Sequence, residues 1–224
     1  MATLYLDYDS AGDVLLLLEA HGNPEDTLLD ETQSVNRLRY SVGPLGVKIQ
    51  KVHLRVSSLK LISSSRYFRA MLQGSNFQEA TELKERGFVK IPLLEPEDDP
   101  TAMMVIIGIL YGKEVDLPES VDFTLLEKIA TLVDKHEWHA LVNPYATHWF
   151  DKLAMSDGLS TTFDDKLLSW LWMAWVFELK DHFKSLSRIA QQCATQPLDT
   201  KDEYIRLPQS VIRKFSTTHL RQMC

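Results

Sequence analysis

Cysteine and glycine are scarce in this chain of 224 residues. Its two cysteines, Cys193 and Cys224, form no CxxC pair and provide no disulfide framework, which favours a reducing compartment. The nine glycines are scattered, and the sequence contains neither a GxGxxG loop nor a P-loop. A GxSxG nucleophile motif is also absent. We therefore expect a protein that is not an enzyme and holds no cofactor.

Positive charge is in the minority, with 24 lysines and arginines against 31 aspartates and glutamates and a net charge of −7. Binding to nucleic acid or to an anionic membrane surface requires clustered positive charge, so we expect neither as the main partner. The apolar runs at 14–18 and 167–179 are shorter than the roughly 20 residues that span a bilayer. The N-terminus is acidic and does not resemble a secretory signal. These features predict an intracellular protein of the cytoplasm or the nucleus.

The pattern of apolar residues predicts an α+β domain followed by helices. Residues 12–20 form a continuous apolar run, which is typical of a strand buried on both faces. The polar stretch at 20–36 predicts a long surface loop, and the Gly-Pro-Leu-Gly turn at 43–46 predicts a hairpin. The other elements expected in this domain are two short helices after Ser57 with a break at 63–65, a strand at 87–94, and a helix that is capped by Asp99 and ends at Gly112.

Further helices are predicted towards the C-terminus, at about 124–135, 145–155, 164–180, 181–195 and 208–221. The first of them places apolar residues on one face. The third carries aromatic residues on several sides, which favours a buried helix over a ligand-binding box. These aromatic residues are Trp170, Trp172, Trp175 and Phe177.

Four stretches, in this order, resemble the BTB/POZ domain: "GDVLLLL", "VSSLKLISSSRYFRAML", "NFQEA" and "DDPTAMMVIIGILYGKEVDL". The resemblance covers residues 10–155, after an N-terminal segment at 1–9. Residues 156–224 look like the helical continuation of fungal members. The fold that the resemblance implies is a small sheet flanked by a helical cluster, with an all-α C-terminal extension.

The BTB/POZ resemblance implies protein–protein interaction without catalytic residues. Members of this family form homodimers, recruit corepressors, and act as adaptors of cullin-type ubiquitin ligases. We therefore expect a self-associating adaptor or scaffold. A substrate adaptor of a cullin ligase is the favoured form, and a transcriptional corepressor scaffold is the alternative.

Phe77-Gln78-Glu79 fits the apolar-x-Glu pattern that cullin-binding members of the family carry. An apolar side chain beside a carboxylate supplies an anchor and an electrostatic orienter, which is what a small interface hot spot needs. Tyr111, at the end of the following helix, is expected to line the same surface. Phe77, Glu79 and Tyr111 are thus the predicted partner-binding residues.

Transcriptional members of the family have a charged pocket, in which an acid on the first strand pairs with a base. That base directly follows a histidine that is common in the family. Asp13 matches the acid, whereas Ser58 occupies the position of the base. The sequence therefore predicts only a remnant of this pocket, at Asp13 and Ser58.

The segment "DKHEWH" offers a different class of function, a small metalloprotein or enzyme that uses His136 and His139. The histidines are three residues apart, whereas the zincin pattern places two histidines four apart on a helix. We therefore predict no metal site and regard these residues as ordinary side chains near a helix end.

Overall fold

The computed structural model describes residues 2–20, 49–113, 117–159, 165–193 and 207. The described residues form four strands and eight helices, so the predicted α+β class is confirmed. In chain order the elements are β1 (Ala2–Asp7), β2 (Val14–Glu19), β3 (Ile49–Val56), α1 (Ser58–Ser64), α2 (Arg66–Gln73), α3 (Gln78–Arg86), β4 (Val89–Leu93), α4 (Pro100–Leu110), α5 (Phe123–His136), α6 (His139–Asp157), α7 (Asp165–Val176) and α8 (Lys180–Cys193).

The chain divides into two compact units. The first consists of Met1–Glu119 and Leu132–Leu141, and the second of Ser120–Thr131 and Val142–Cys224. The division falls within α5, which contributes residues to both units. The domain boundary proposed from the sequence, at residue 155, stays a prediction.

The sheet of the first unit has the strand order β1-β3-β2-β4. β3 is antiparallel to β2, whereas β1 is parallel to β3 and β4 is parallel to β2. Rows of aligned, buried aliphatic side chains run across β3, β2 and β4. Each of these side chains stabilises the fold by about 1.5–3 kcal/mol because it is removed from water. These rows are Val56–Val14–Val89, Leu54–Leu16–Ile91 and Val52–Leu18–Leu93.

β2 forms where the apolar run predicted a strand, but only one of its faces is fully buried. Val14, Leu16 and Leu18 are buried, while Leu15 and Leu17 are half-buried. The prediction of two buried faces is therefore wrong. A mixed sheet needs full cover on one face only, so a continuous apolar run is compatible with a partly solvated second face.

β1 was not predicted, because residues 1–9 were assigned to an N-terminal segment outside the domain. These residues instead supply an edge strand that pairs with β3 along its length. Leu4 and Leu6 are half-buried, whereas Thr3, Tyr5 and Asp7 are exposed. This period of two is the signal of a strand with one covered face.

The two short helices predicted after Ser57 are confirmed as α1 and α2, with Ser65 between them. Ser65 ends α1, because its N–H donates to the Leu61 carbonyl at 3.0 Å. Its hydroxyl also begins α2 by accepting the Phe68 N–H at 3.0 Å. The same hydroxyl donates to the His136 carbonyl at 2.6 Å, so Ser65 as a whole links the end of α1 and the start of α2 to the end of α5.

α4 and α5 form as predicted. The Asp99 carboxylate accepts the Ala102 N–H at 2.9 Å, and Pro100 occupies the first turn, where its missing N–H costs nothing. Gly112, at φ +63°, follows the helix in a left-handed conformation that suits glycine. The predicted buried face of α5 is also confirmed, with Leu126, Ile129, Ala130 and Val133 fully buried.

α6 begins at His139, six residues before the predicted start. The predicted start follows directly after Asn143-Pro144, but Pro144 lies inside the helix. Near the start of a helix a proline removes a single backbone hydrogen bond, and buried side chains on both sides of Pro144 outweigh that loss. Val142, Ala146 and Trp149 are these buried side chains.

In the second unit, α7 is the buried aromatic helix that the sequence predicted. Trp170, Trp172 and Phe177 are buried, and Trp175 is the exception at 44% exposure. The ring of Trp170 lies 4.7 Å from Phe150 in an edge-to-face contact that favours both rings. α8 follows close to its predicted position.

The predicted loop at 20–36 lies outside the described residues apart from Ala20, as do the first arm and the turn of the predicted hairpin and the predicted helix at 208–221. No helix in the described ranges combines the length and apolar character required to cross a bilayer.

Candidate functional site

The carboxylate of Asp13 holds the start of α1. Its Oδ1 accepts the Ser58 N–H at 2.6 Å, and its Oδ2 accepts the Ser58 hydroxyl at 2.6 Å. Ser57, the N-cap residue, makes no capping bond with its own side chain, so an acid from another element performs that role. A negative charge at this point also interacts favourably with the helix dipole. Both oxygens of Asp13 are therefore engaged within the protein.

Tyr111 belongs to the same group of residues. Its hydroxyl oxygen accepts the Ser57 N–H at 2.7 Å, so it satisfies a second backbone donor at the start of α1. Burial raises the pKa of Tyr111, and the nearby carboxylates of Asp9 and Asp13 raise it further, against the effect of the Ser57 bond. The phenol therefore stays neutral. We call Asp13, Ser57, Ser58 and Tyr111 the α1 N-terminal cluster.

The backbone at Gly12 places Asp13 in this cluster. A Cβ on Gly12 would lie 2.7 Å from the Val56 carbonyl oxygen and 2.8 Å from that of Asp9, so only glycine fits. Arg55 donates from Nε to the Gly12 carbonyl at 2.9 Å and fixes the turn. The start of β2 thus approaches the end of β3 closely enough for Asp13 to reach Ser58.

Beside this cluster, two lysine side chains lie over two neighbouring tyrosine rings, one lysine over each ring. Lys60 Nζ lies 4.5 Å from the ring centre of Tyr111, and Lys113 Nζ lies 4.4 Å from that of Tyr8. The Tyr8 and Tyr111 rings are 5.5 Å apart. A cation–π contact at an exposed site contributes about 0.5–1 kcal/mol, which favours the position of each lysine over its ring.

Phe77 is directed towards solvent. It is 44% exposed and precedes α3 as its N-cap residue, although a phenyl ring cannot accept a capping hydrogen bond. The ring rests on the backbone at the end of α2, because a Cβ on Gly74 would lie 3.0 Å from its Cδ2 atom. Phe77 is thus supported from beneath and open on the other side, which is the arrangement of an anchor residue.

Glu79 lies in the first turn of α3, where the positive end of the helix dipole favours a carboxylate. It is half-buried, and none of the α3 side chains is fully buried. α3 ends at Gly87, at φ +68°, whose N–H donates to the Leu83 carbonyl at 2.9 Å. The helix is therefore a surface element, and Phe77 and Glu79 both lie at its start.

The predicted partner-binding residues are thus divided between two places. Phe77 and Glu79 share the start of α3, as the apolar-x-Glu spacing requires. Tyr111 has its contacts in the α1 N-terminal cluster, and no contact in the described part of the chain joins it to Phe77 or Glu79. The predicted charged-pocket residues Asp13 and Ser58 are brought together and bonded to each other.

His136, the last residue of α5, is completely buried. Its ring stacks on Phe68 at 5.2 Å and contacts Tyr67 at 4.8 Å and Trp138 at 5.0 Å, measured between ring centres. Its Nε2 lies 3.6 Å from Asp98 Oδ1, which is longer than a hydrogen bond, and neither ring nitrogen has a hydrogen-bond partner. Burial lowers the pKa of His136, against the opposing influence of Asp98.

No pattern in the sequence indicates the ion pair that accompanies His136. Lys135 Nζ lies 2.8 Å from the buried Asp98 Oδ1 and 2.7 Å from Glu95 Oε2. Burial disfavours the charged form of Asp98, but the contacts from His136 and Lys135 outweigh it and lower the pKa of Asp98. Burial acts on Lys135 in the same way, and its two carboxylate partners raise the pKa of Lys135. The pair joins the loop before α4 to the end of α5.

His139 is half-buried at the start of α6 and is not in contact with His136 in the described structure. No three histidine, cysteine, aspartate or glutamate side chains within the described ranges are grouped so that they could hold a metal ion. The His136 region is an aromatic and ionic packing site in this structure.

No protein-family model matches the chain, and no curated protein matches it in sequence.

Proposed function

We propose that the chain is a non-enzymatic interaction module of the BTB/POZ type, which self-associates and acts as an adaptor or scaffold. Its docking point for a cullin-type ubiquitin ligase is the surface formed by Phe77 and Glu79. The stretches that carry the BTB/POZ resemblance fall on β2, on the α1–α2 pair, at the start of α3 and on α4. The order of these elements supports the proposal.

The observation that carries the cullin proposal is the exposure of Phe77 beside Glu79. An aromatic ring at 44% exposure is not required for the core, and its backing by Gly74 keeps it in place. The neighbouring carboxylate supplies charge at the edge of the contact, where it orients a partner. Truncation of such an anchor typically costs about 2 kcal/mol or more of binding free energy.

The adaptor role is favoured over the corepressor scaffold by the state of Asp13. A corepressor groove would use this acid, but both of its oxygens accept hydrogen bonds from Ser58. The position of the base is occupied by that serine. A partner that sought Asp13 would first have to break two short bonds within the protein.

The test is titration calorimetry of the full chain against the N-terminal domain of a BTB-binding cullin. We expect binding by the wild type and its loss in Phe77→Ala/Glu79→Ala. The matched control is Leu94→Ala/Asp181→Ala, which removes one exposed aliphatic side chain after β4 and one exposed carboxylate on α8 and should bind normally. Circular dichroism verifies the fold of each variant.

Self-association is measured separately by sedimentation velocity over a wide range of concentrations. The average mass should rise with concentration. A strict monomer that also fails to bind the cullin domain would overturn the proposed function, whereas a dimer without cullin binding would remove only the ligase role.

A further inference from the structure

One stretch of this negatively charged protein contains no acidic residue. Residues 51–78 hold no aspartate or glutamate, although the whole chain has a net charge of −7. The same stretch carries Lys51, Arg55, Lys60, Arg66 and Arg69. Its positive charge is therefore concentrated on β3, α1 and α2.

The cations on β3 are engaged within the protein. Lys51 forms an ion pair with Glu19 at 2.6 Å, and Arg55 donates to the Gly12 carbonyl. Those on the helices are not neutralised in this way. Lys60 and Arg69 donate to main-chain carbonyls, of Leu110 at 3.3 Å and of Ile62 at 3.1 Å, and pair with no carboxylate in the described structure.

Arg66 has a carboxylate nearby, but the contact is weak. Its Nε lies 4.0 Å from Glu137 Oε2, and the two side chains are 85% and 48% exposed. Exposed pairs of this kind contribute about 0–1 kcal/mol, because water already solvates both charges. Arg66 thus remains available to a partner with better geometry.

Arg66 and Arg69 lie one turn apart on α2, so they point to the same side, together with exposed Ala70. The bond from Arg69 to the Ile62 carbonyl joins this side to α1. On α1, Leu59 is 74% exposed and is followed by exposed Lys60. We call Leu59, Lys60, Ile62, Arg66, Arg69 and Ala70 the α1–α2 face.

The chemistry of the α1–α2 face selects its partner. A guanidinium group binds a carboxylate through two parallel hydrogen bonds, and two such groups one turn apart fit closely spaced acids. Leu59, Ile62 and Ala70 offer apolar contact area, which a phosphate backbone does not use. The net charge of −7 also opposes the approach of a nucleic acid.

We propose that the α1–α2 face binds an acidic segment of another protein, one that presents carboxylates beside an aliphatic side chain. This surface is separate from the Phe77–Glu79 surface and goes beyond the function proposed above. An adaptor with two such surfaces would hold two different proteins at once.

The test measures fluorescence anisotropy of a short labelled peptide in which glutamates flank a pair of leucines, titrated with the full chain. The glutamate peptide should bind, and its binding should weaken as salt is added. A counterpart with glutamine in place of glutamate should not bind. Arg66→Glu/Arg69→Glu should weaken binding by about tenfold or more, since two attractive contacts become repulsive.

The matched control is Lys184→Glu/Arg188→Glu, which makes the same change of charge at two exposed positions on α8. It should bind the peptide like the wild type. If circular dichroism shows that Arg66→Glu/Arg69→Glu is unfolded, the neutral variant Arg66→Gln/Arg69→Gln replaces it, with a smaller loss expected.

Three outcomes would overturn the inference. The first is equal binding by the α2 variant and the α8 control. The second is tighter binding of a single-stranded oligonucleotide that the α2 variant loses, which would make the partner a nucleic acid. The third is a wild-type dimer that excludes the peptide and dissociates in the α2 variant, which would make the partner a second copy. Phe77→Ala/Glu79→Ala should leave peptide binding intact, so failure at one surface is distinguished from failure at the other.

Discussion

Asp13 and Phe77 lie in the same unit, Asp13 as the predicted remnant of a charged pocket and Phe77 as a predicted partner-binding residue, and the protein uses them in opposite ways. Asp13 binds Ser58 through both carboxylate oxygens at 2.6 Å, and its removal would leave two donors at the start of α1. Phe77 rests on Gly74 with one side open to solvent. A residue whose bonding groups are satisfied internally is a poor anchor for a partner. Position in a family pattern therefore indicates a surface only when the side chain is also free.

The largest expected effect tests the internal role of Asp13. Asp13→Ala should lower the free energy of unfolding by about 3 kcal/mol, because the Ser58 N–H and hydroxyl lose their acceptors at a site with little water. Asp13→Asn keeps one acceptor and should lose about 1 kcal/mol. Urea denaturation followed by circular dichroism measures both. If Asp13→Ala has the same free energy of unfolding as the wild type, Asp13 does not hold the start of α1.

Tyr111 offers the next test. It was predicted to line the same surface as Phe77, but its contacts lie in the α1 N-terminal cluster. Tyr111→Phe removes the acceptor of the Ser57 N–H and keeps the ring, so we expect a loss of about 1–2 kcal/mol in urea denaturation. Tyr5→Phe, at an exposed ring on β1, is the control and should change little. Loss of cullin binding without loss of stability in Tyr111→Phe would return Tyr111 to the partner surface.

His136 extends the comparison to the pH dependence of stability. Burial holds the pKa of His136 below its usual value of 6.5, so below that pH the unfolded chain binds a proton that the folded chain does not. The free energy of unfolding should therefore fall by up to about 1 kcal/mol between pH 7.5 and 5.5. The charged or titratable groups that face His136 are Asp98, Lys135, Glu95 and Tyr67.

The control for this pH effect is His136→Phe, which should reduce the slope and leave the smaller part due to His53, whose pKa is also lowered by burial, while His148→Asn at an exposed position should keep the slope. Asp98 adds a second loss of stability at lower pH. Its pKa lies below the usual 3.8, so its contribution is present above that value and disappears as the pH falls through the folded-state pKa. Measurement of the free energy of unfolding above pH 5 therefore excludes the contribution of Asp98. An unchanged slope in His136→Phe would contradict this assignment.

The smallest effect on stability is expected at the outward surface. Phe77→Ala/Glu79→Ala should lower the free energy of unfolding by less than about 1 kcal/mol, since the ring is partly solvated and α3 buries no side chain fully. The same variant should lose cullin binding. A large loss of stability would instead place Phe77 among the residues that hold the fold.

Local patterns predicted most of the described elements. Apolar spacing, the Asp99 cap and the break at Ser65 predicted β2, β4 and helices α1, α2, α4 and α5. The errors also have local causes. The alternation of Leu4 and Leu6 in β1 is too short to predict a strand by itself, and Pro144 lies inside α6 although proline usually interrupts a helix.

The contacts of the site depend on residues far apart in sequence. Asp13 meets Ser58 across 45 residues, and Tyr111 meets Ser57 across 54. Apolar-x-Glu spacing could predict Phe77 and Glu79 as neighbours, because both lie at the start of one helix. No spacing could predict that Tyr111 contacts Ser57, since that contact depends on the packing of α4 beside α1.

The hydroxyl of Ser65 accepts from Phe68 and donates to the carbonyl of His136, while the Ser65 amide donates to Leu61. These bonds join the end of α1, the start of α2 and the end of α5 at one buried residue. Local opening at any of these ends would strand the bonding groups of the others. In hydrogen exchange, the amides of Ser65 and Phe68 should therefore open with a common free energy, as one cooperative unit rather than as two fraying helix ends.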